Sequence, residues 1–140
     1  MVLISWGERG EFLQNLANMR NLYLEDLWVV GRDFNIITSL TEKKGGMRRM
    51  DADMETFGDI ISELHFVDLP TINRVHTWNN IRGGIHQIAS RLDRFLIIDQ
   101  VISRDIFMEA LILPGMASFH WPIRLEVDLK ASPKNRPFPF

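Results

Sequence analysis

The stretch "RLDRFLIID", residues 91–99, decides how this chain is organised. It carries an apolar run over residues 95–98 that is short and rich in branched side chains, which is typical of a strand buried within a sheet. Asp93 opens the strand between two arginines. Its carboxylate either forms ion pairs with those arginines or contributes to a polar site at the strand end. The local sequence leaves both interpretations open.

Two amphipathic helices and further strands are predicted around this strand. Over residues 8–22, apolar residues recur at helical spacing, namely Phe12, Leu13, Leu16 and Met19. Asp51 is a favourable N-cap for a second helix, whose apolar face comprises Met54, Phe57, Ile60, Ile61 and Leu64. Residues 27–30 predict another buried strand, ended by a turn at Gly31. Later strands are expected within residues 75–80, 108–114 and 123–130, which gives an α/β fold with a mixed sheet and flanking helices.

The composition indicates one ordinary globular domain. The chain has 140 residues, 46% of them hydrophobic, and no cysteine, which excludes disulfides and Cys-ligated zinc. We expect residues 1–130 to fold, and residues 131–140, with three prolines, to be an irregular tail. The start "MVLISWGERG" lacks the features of a signal peptide, and no apolar run approaches the roughly 18 residues of a membrane span. An intracellular protein without a membrane partner is therefore expected, at an address that the sequence does not specify.

A basic loop provides the main positive charge. The formal net charge is −2, so binding to nucleic acid requires a local basic patch. The loop over residues 38–51 holds the densest basic cluster around a Gly-Gly pair, formed by Lys43, Lys44, Arg48 and Arg49. Such a cluster is either solvated surface or a grip for a phosphate backbone.

Two further polar clusters lie at predicted strand ends. Asp33 and Asn35 follow the strand of residues 27–30, and in extended geometry they share a face. The alternative is a turn in which both side chains bond nearby backbone. His120 precedes an alternating strand and is flanked by Phe119 and Trp121, and such a histidine is either catalytic or structural. The remaining histidines lack metal-ligand spacing.

The order of these segments is more specific than any one of them. "WVVGRDFNII", "EKKGG", "FVDLP", "HTWNN", "ASRLDRFLI", "SFHWPI" and "RPFPF" follow one another from residue 28 to residue 140. As an ordered set they resemble the endonuclease/exonuclease/phosphatase family, in the form found in the endonuclease domain of plant LINE-type non-LTR retrotransposons. The resemblance implies a DNase I-like α/β sandwich of which this chain is the C-terminal part, with the N-terminal half missing.

The resemblance also implies roles for individual residues. Asp33 matches the aspartate that activates the attacking water, and Asn35 matches the asparagine that holds the scissile phosphate. Asp93 matches the aspartate that orients the catalytic histidine, which is His120. Thr77 and Trp78 match a pair beside the site, where an aromatic ring lies against a nucleic-acid sugar or base. Family members use Mg²⁺ to hydrolyse phosphodiester bonds, and the retrotransposon members nick DNA.

The chain departs from the family pattern at the metal site. Phe119 stands where the family has an aspartate, and a phenyl ring cannot bind Mg²⁺. The principal metal-binding glutamate belongs to the N-terminal half, and Glu42 of "EKKGG" is not expected to replace it. No residue is therefore assigned as a metal ligand, and a tight Mg²⁺ site is not expected.

Three outcomes are predicted from this combination. The chain is an endonuclease by descent that is inactive as it stands. Alternatively, it is a retrotransposon-derived remnant that binds nucleic acid weakly, or an interaction module. A partial sandwich is also expected to expose an apolar sheet face, which promotes self-association.

Overall fold

A computed structural model describes residues 9–23, 27–47, 49–104, 106–115 and 118–128. The helices are α1 Arg9–Leu22, α2 Ala52–Glu63 and the short α3 Gln100–Ser103. The strands are β1 Val29–Asp33, β2 Lys43–Lys44, β3 Phe66–Leu69, β4 Trp78–Asn79, β5 Ala89–Ser90, β6 Asp93–Ile98, β7 Phe107–Ile112 and β8 Ile123–Asp128. Arg48 and the predicted tail of residues 131–140 lie outside the described residues.

The central sheet has the order β1-β6-β3, with both neighbours antiparallel to β6. The strand predicted from "RLDRFLIID" is therefore its middle strand, which explains its continuous apolar run. The register pairs Asp33 with Asp93 at one end of β1 and β6. The two aspartates that the sequence singled out thus lie on neighbouring strands at the same end of the sheet.

Two smaller sheets complete the described fold. One has the order β2-β5-β4, and the other is the pair β7-β8. Their ladders are antiparallel, and a single parallel bridge between Thr71 and Ala110 connects the segment after β3 to β7. Helices and sheets together confirm the predicted α/β class.

Helices α1 and α2 pack on the central sheet through the faces that the sequence predicted. Phe12, Leu16, Phe57 and Ile61 are buried in one cluster with the apolar residues of β1 and β6. Phe34, which follows β1, contacts Phe12 and Phe57 at ring-centroid distances of 5.5 and 5.2 Å. The capping role of Asp51 is confirmed, because its carboxylate accepts a hydrogen bond from the backbone N–H of Met54 at 2.9 Å.

The predicted strand end at Gly31 is wrong. Strand β1 continues through Gly31 to Asp33. A Cβ atom at residue 31 would lie 2.5 Å from the ring of Phe95, the residue paired with it on β6. Glycine is needed here for a close approach between neighbouring strands, and it does not mark a turn.

The basic loop and the segment after β6 also differ from expectation. Residues 43 and 44 form the short edge strand β2 against β5, although their lysines predicted only a polar loop. Helix α3 was not predicted, because four residues are too few to show a helical period. Among the described residues, no helix is long and apolar enough to span a membrane.

Candidate catalytic site

The site is built on the paired ends of β1 and β6. Asp33 ends β1 and Asp93 begins β6, and the two residues are direct partners in the ladder. The side chain of Asp93 is 15% exposed and that of Asp33 is 41% exposed. Two carboxylates are therefore held at one end of the sheet with access to solvent.

His120 joins these carboxylates from a loop that is distant in sequence. Its Nδ1 atom lies 3.1 Å from Oδ2 of Asp93, and its Nε2 atom lies 3.6 Å from Oδ2 of Asp33. The imidazole, 44% exposed, thus stands between the two aspartates. A protonated imidazole would be paired with a carboxylate on each side, and a neutral one would hydrogen-bond to Asp93 through Nδ1–H.

The backbone of the His120 loop is fixed on strand β4. His120 forms an antiparallel bridge with Trp78. On either side of the bridge, the N–H of Asn79 donates to the carbonyl of Phe119 at 3.0 Å, and the N–H of Trp121 donates to the carbonyl of Thr77 at 2.7 Å. The loop therefore acts as a further edge of the β2-β5-β4 sheet, and that pairing brings His120 to Asp93.

Asn35 lies next to this cluster, in a different geometry from the one predicted. Its φ is +54°, so it is not extended and does not share a strand face with Asp33. Its backbone N–H donates to Oδ1 of Asp33 at 2.7 Å, so the Asp33 side chain bonds nearby backbone as in the turn that the sequence left as an alternative. Asparagine tolerates this left-handed conformation better than most residues. The turn holds Asp33 in place and leaves the Asn35 side chain exposed beside it.

The arginines that flank Asp93 in sequence do not pair with it. Arg91 forms ion pairs with Glu42 at 2.8 Å and Asp68 at 2.7 Å. Arg94 is buried and pairs with the same two acids, at 3.1 and 2.7 Å. This cluster, called here the buried ion network, draws both guanidinium groups away from Asp93 and leaves its carboxylate to His120.

The network also shifts the pKa values of Glu42 and Arg91. Burial raises the pKa of Glu42, but the hydrogen bond and charge of Arg94, together with hydrogen bonds from the Thr38 backbone and Arg91, outweigh burial and hold that pKa below its ordinary value. Burial lowers the pKa of Arg91, yet Asp68 and Glu42 outweigh it and leave the pKa raised. Glu42 is thus an ionised partner of two arginines.

The basic loop reaches the far side of the β2-β5-β4 sheet, because β2 and the His120 loop are separated by β5 and β4. Lys44 and Arg49 are exposed, whereas Lys43 is half-buried and donates through Nζ to the carbonyl of Met47 at 2.7 Å. The pKa of His76 is lowered, first by burial and second by the charge of Lys44. Lys44 therefore lies near His76, one residue before the Thr77 and Trp78 pair.

A cleft of about 320 Å³ runs along strand β4 next to the His120 loop. It is lined by Arg74, His76, Trp78, Asn79, Ile81, Gln87, Ala89, Ser118 and Trp121. The guanidinium of Arg74 lies 4.4 Å from the ring centroid of Trp121, a cation–π contact. Apart from Trp78, sequence reasoning missed these residues, because they come from three separate segments and share no spacing signal.

The residues fit a divalent cation only loosely. Asp33, Asp93 and His120 each offer one ligand atom, and these atoms lie within 4.8 Å of one another. Mg²⁺ prefers oxygen ligands and is often held by one or two carboxylates with several waters, so the two aspartates suit it. The imidazole already contacts both carboxylates, and an ion would compete with it for their oxygens.

Comparison with known proteins identifies the fold. No family model and no curated protein matches the chain. Its structure is similar to the endonuclease domain of TRAS1, a telomere-specific non-LTR retrotransposon, with a TM-score of 0.68 and 20% sequence identity over 92% of this chain. The chain therefore has the DNase I-like α/β fold of an endonuclease domain, as predicted, and it spans 58% of that domain's length.

Proposed function

We propose that this chain is a phosphodiesterase domain of the endonuclease/exonuclease/phosphatase type that acts on DNA and descends from the endonuclease of a plant LINE-type retrotransposon. The observation that carries the proposal is the contact of His120 with both Asp93 and Asp33 at one end of the sheet. A DNase I-like fold supports it. The order of the sequence segments supports the descent from a plant retrotransposon.

Each side chain has a defined task in the proposed reaction. Asp33, the more exposed carboxylate, orients the attacking water and accepts its proton. Asp93 orients the ring of His120 through Nδ1, and in the protonated ring the other N–H donates to an oxygen of the scissile phosphate. Asn35, exposed beside Asp33, donates its side-chain amide to the same phosphate.

A divalent cation would be held by Asp33 and Asp93. Bound Mg²⁺ would supply positive charge close to the phosphoryl oxygens, as it does in related chemistry. The competition with His120 for the same oxygens predicts low affinity. The remaining steps depend on the chain's own aspartates, histidine and asparagine.

The nucleic-acid surface in this proposal extends from the site across β4 and β5 to the basic loop. Lys44 and Arg49 are exposed to contact phosphates, with Lys43 and Arg48 as the other members of the predicted cluster. Trp78 lines the cleft and offers an aromatic face to a sugar or base. Thr77 is 1% exposed and so reaches no substrate.

Phe119 limits the activity that we expect. Its ring is 55% exposed next to His120, at the position of the carboxylate in the family pattern. A third oxygen ligand is thereby replaced by an apolar ring. We therefore expect the wild-type chain to nick DNA very slowly or not at all.

The test is nicking of supercoiled plasmid with Mg²⁺ by wild type and the variant Phe119→Asp. We expect Phe119→Asp to nick at least ~10-fold faster than wild type, and a second change, His120→Asn, to abolish that gain. His65→Asn is the matched control, since His65 is exposed, remote from the site and in a left-handed conformation that asparagine tolerates. If folded wild type and Phe119→Asp are both inert, the hydrolase proposal is rejected.

A non-catalytic remnant that binds nucleic acid is the second candidate. The observation that favours it is the combination of exposed Lys44 and Arg49 with a phenyl ring in place of a metal-binding group. Salt-sensitive DNA binding by an inert Phe119→Asp variant would support it. Self-association without DNA binding, measured by sedimentation, would instead indicate an interaction module that uses an exposed sheet face.

A further inference from the structure

Thr77 contacts the backbones of two segments of the site, the start of β6 and the His120 loop. It is almost completely buried. Its hydroxyl oxygen accepts hydrogen bonds from the backbone N–H groups of Leu92 at 3.1 Å and Asp93 at 3.0 Å. Its carbonyl accepts from the N–H of Trp121 at 2.7 Å. Asp93 and His120 lie 27 residues apart in sequence, yet the segments of both attach to this residue.

At the start of β6, the Thr77 hydroxyl accepts the backbone N–H groups that a carbonyl of a neighbouring strand would accept within a sheet. The chain leaves β5 at Ser90 and enters β6 at Asp93, so it passes between two sheets. The N–H of Thr77 donates to the carbonyl of Ser90 at 3.0 Å, which fixes the threonine on β5. A hydroxyl oxygen accepts two hydrogen bonds at most, so the N–H groups of Leu92 and Asp93 use its full capacity.

On the His120 side, the contact is made through the backbone. Trp78 and His120 oppose each other between the two hydrogen bonds that join Thr77 to Trp121 and Asn79 to Phe119. Such a pair, without hydrogen bonds of its own, brings the two Cα atoms closer than a hydrogen-bonded pair and places both side chains on one face. The position of the imidazole therefore depends on the strand that Thr77 begins.

We infer that Thr77 is a positioning residue that holds Asp93 against His120 by accepting the two backbone N–H groups at the start of β6. This inference rests on the proposed function, because the contact that Thr77 sets is the proposed catalytic pair. Losing the hydroxyl leaves two amide groups at the start of β6 without their acceptor, and the backbone that carries Asp93 moves. A displacement of about 1 Å in such a site costs on the order of 10²-fold in rate.

The first test compares Thr77→Val, which keeps the shape and loses the acceptor, with Thr77→Ser, which keeps the acceptor. The readout is the ¹⁵N and ¹H chemical shifts of the His120 imidazole, assigned by their loss in His120→Asn. We expect Thr77→Val to shift them towards the values of Asp93→Asn, and Thr77→Ser to restore the wild-type values. Thr38→Val is the matched control, since the Thr38 hydroxyl bonds to the Glu42 carboxylate and not to the backbone at the start of β6.

A folded Thr77→Val protein with wild-type imidazole shifts would overturn the inference, and so would a shift of equal size in Thr38→Val. Should Thr77→Val fail to fold, Thr77→Ala serves the same comparison with less steric demand. These shifts require no catalysis, so they test the positioning role even if the chain proves inert.

The second test measures nicking in the Phe119→Asp background. We expect Thr77→Val to lower kcat by ~10–10²-fold while KM stays unchanged, because Thr77 is buried and touches no substrate. Altered imidazole shifts without nicking in any variant would reject the proposed function and retain the positioning role. Nicking that is indifferent to Thr77→Val would reject the positioning role and retain the function.

Discussion

Arg94 donates to both carboxylate oxygens of Glu42, from Nη1 to Oε2 and from Nη2 to Oε1, at 3.1 Å each. The bidentate contact is buried and joins the basic loop, which contains Glu42, to the strand that carries Asp93. Arg94 also donates to the carbonyl of Ile36 at 3.1 Å, so the segment after Asp33 is fixed as well. The buried ion network thus connects the basic loop, strand β6 and the segment after Asp33.

Glu42→Gln should strongly destabilise the protein. It leaves Arg91 and Arg94 with one negative partner between them, and breaking a buried ion pair typically costs about 3–5 kcal/mol. Chemical denaturation in urea measures the change. The matched control is Glu126→Gln, which breaks an exposed pair with Arg124 and should cost less than about 1 kcal/mol. Equal losses in the two variants would contradict a special role for the network.

Stability should fall in acid through Glu42. Its pKa in the folded protein lies below the ordinary value of 4.5, so the unfolded chain binds more protons in the interval between the two. The contribution of Glu42 is therefore complete above pH 4.5 and is lost as the pH falls through the lower folded pKa. Urea midpoints measured from pH 7 to pH 3 should show a shallower acid decline in Glu42→Gln than in wild type. Parallel curves would contradict this assignment.

Gly31→Ala should destabilise the central sheet. The added Cβ would meet the Phe95 ring at 2.5 Å, and overpacking of this kind costs about 1–3 kcal/mol. Gly58→Ala is the matched control, because Gly58 lies inside α2 with open space around its Cβ position. Alanine there should stabilise the helix by about 0.5–1 kcal/mol. Thermal unfolding should show a lower stability for Gly31→Ala and a higher stability for Gly58→Ala. An unchanged stability of Gly31→Ala would refute the close approach.

Lys44→Ala should weaken DNA binding and its dependence on salt. Removing one phosphate contact lowers the slope of log affinity against log salt concentration by about 1. Fluorescence anisotropy with a labelled duplex, at several salt concentrations, measures this slope. Arg104→Ala is the control, because Arg104 is exposed near the opposite end of β6. An unchanged slope in Lys44→Ala would exclude the basic loop from the DNA surface.

Elements with a strong local period were predicted well. Helices α1 and α2 and strand β6 depend on repeated apolar residues within one segment, and local spacing reveals such patterns. The short strands β2 and β5 were not foreseen, because two residues carry no period and form a strand only when a partner is present. Gly31 was misread for a related reason, since its role depends on the Phe95 ring across the sheet.

By itself, the sequence determined the apolar faces that pack together, the order of the segments and the identity of Asp33, Asp93 and His120 as residues of interest. These are properties of spacing and residue type along one chain. Only the tertiary structure decided which groups meet: the arginines beside Asp93 in sequence pair with Glu42 and Asp68, while Asp93 pairs with His120. The physical reason is that hydrogen bonds and ion pairs act over about 3 Å, and strand register alone brings groups so distant in sequence within that range.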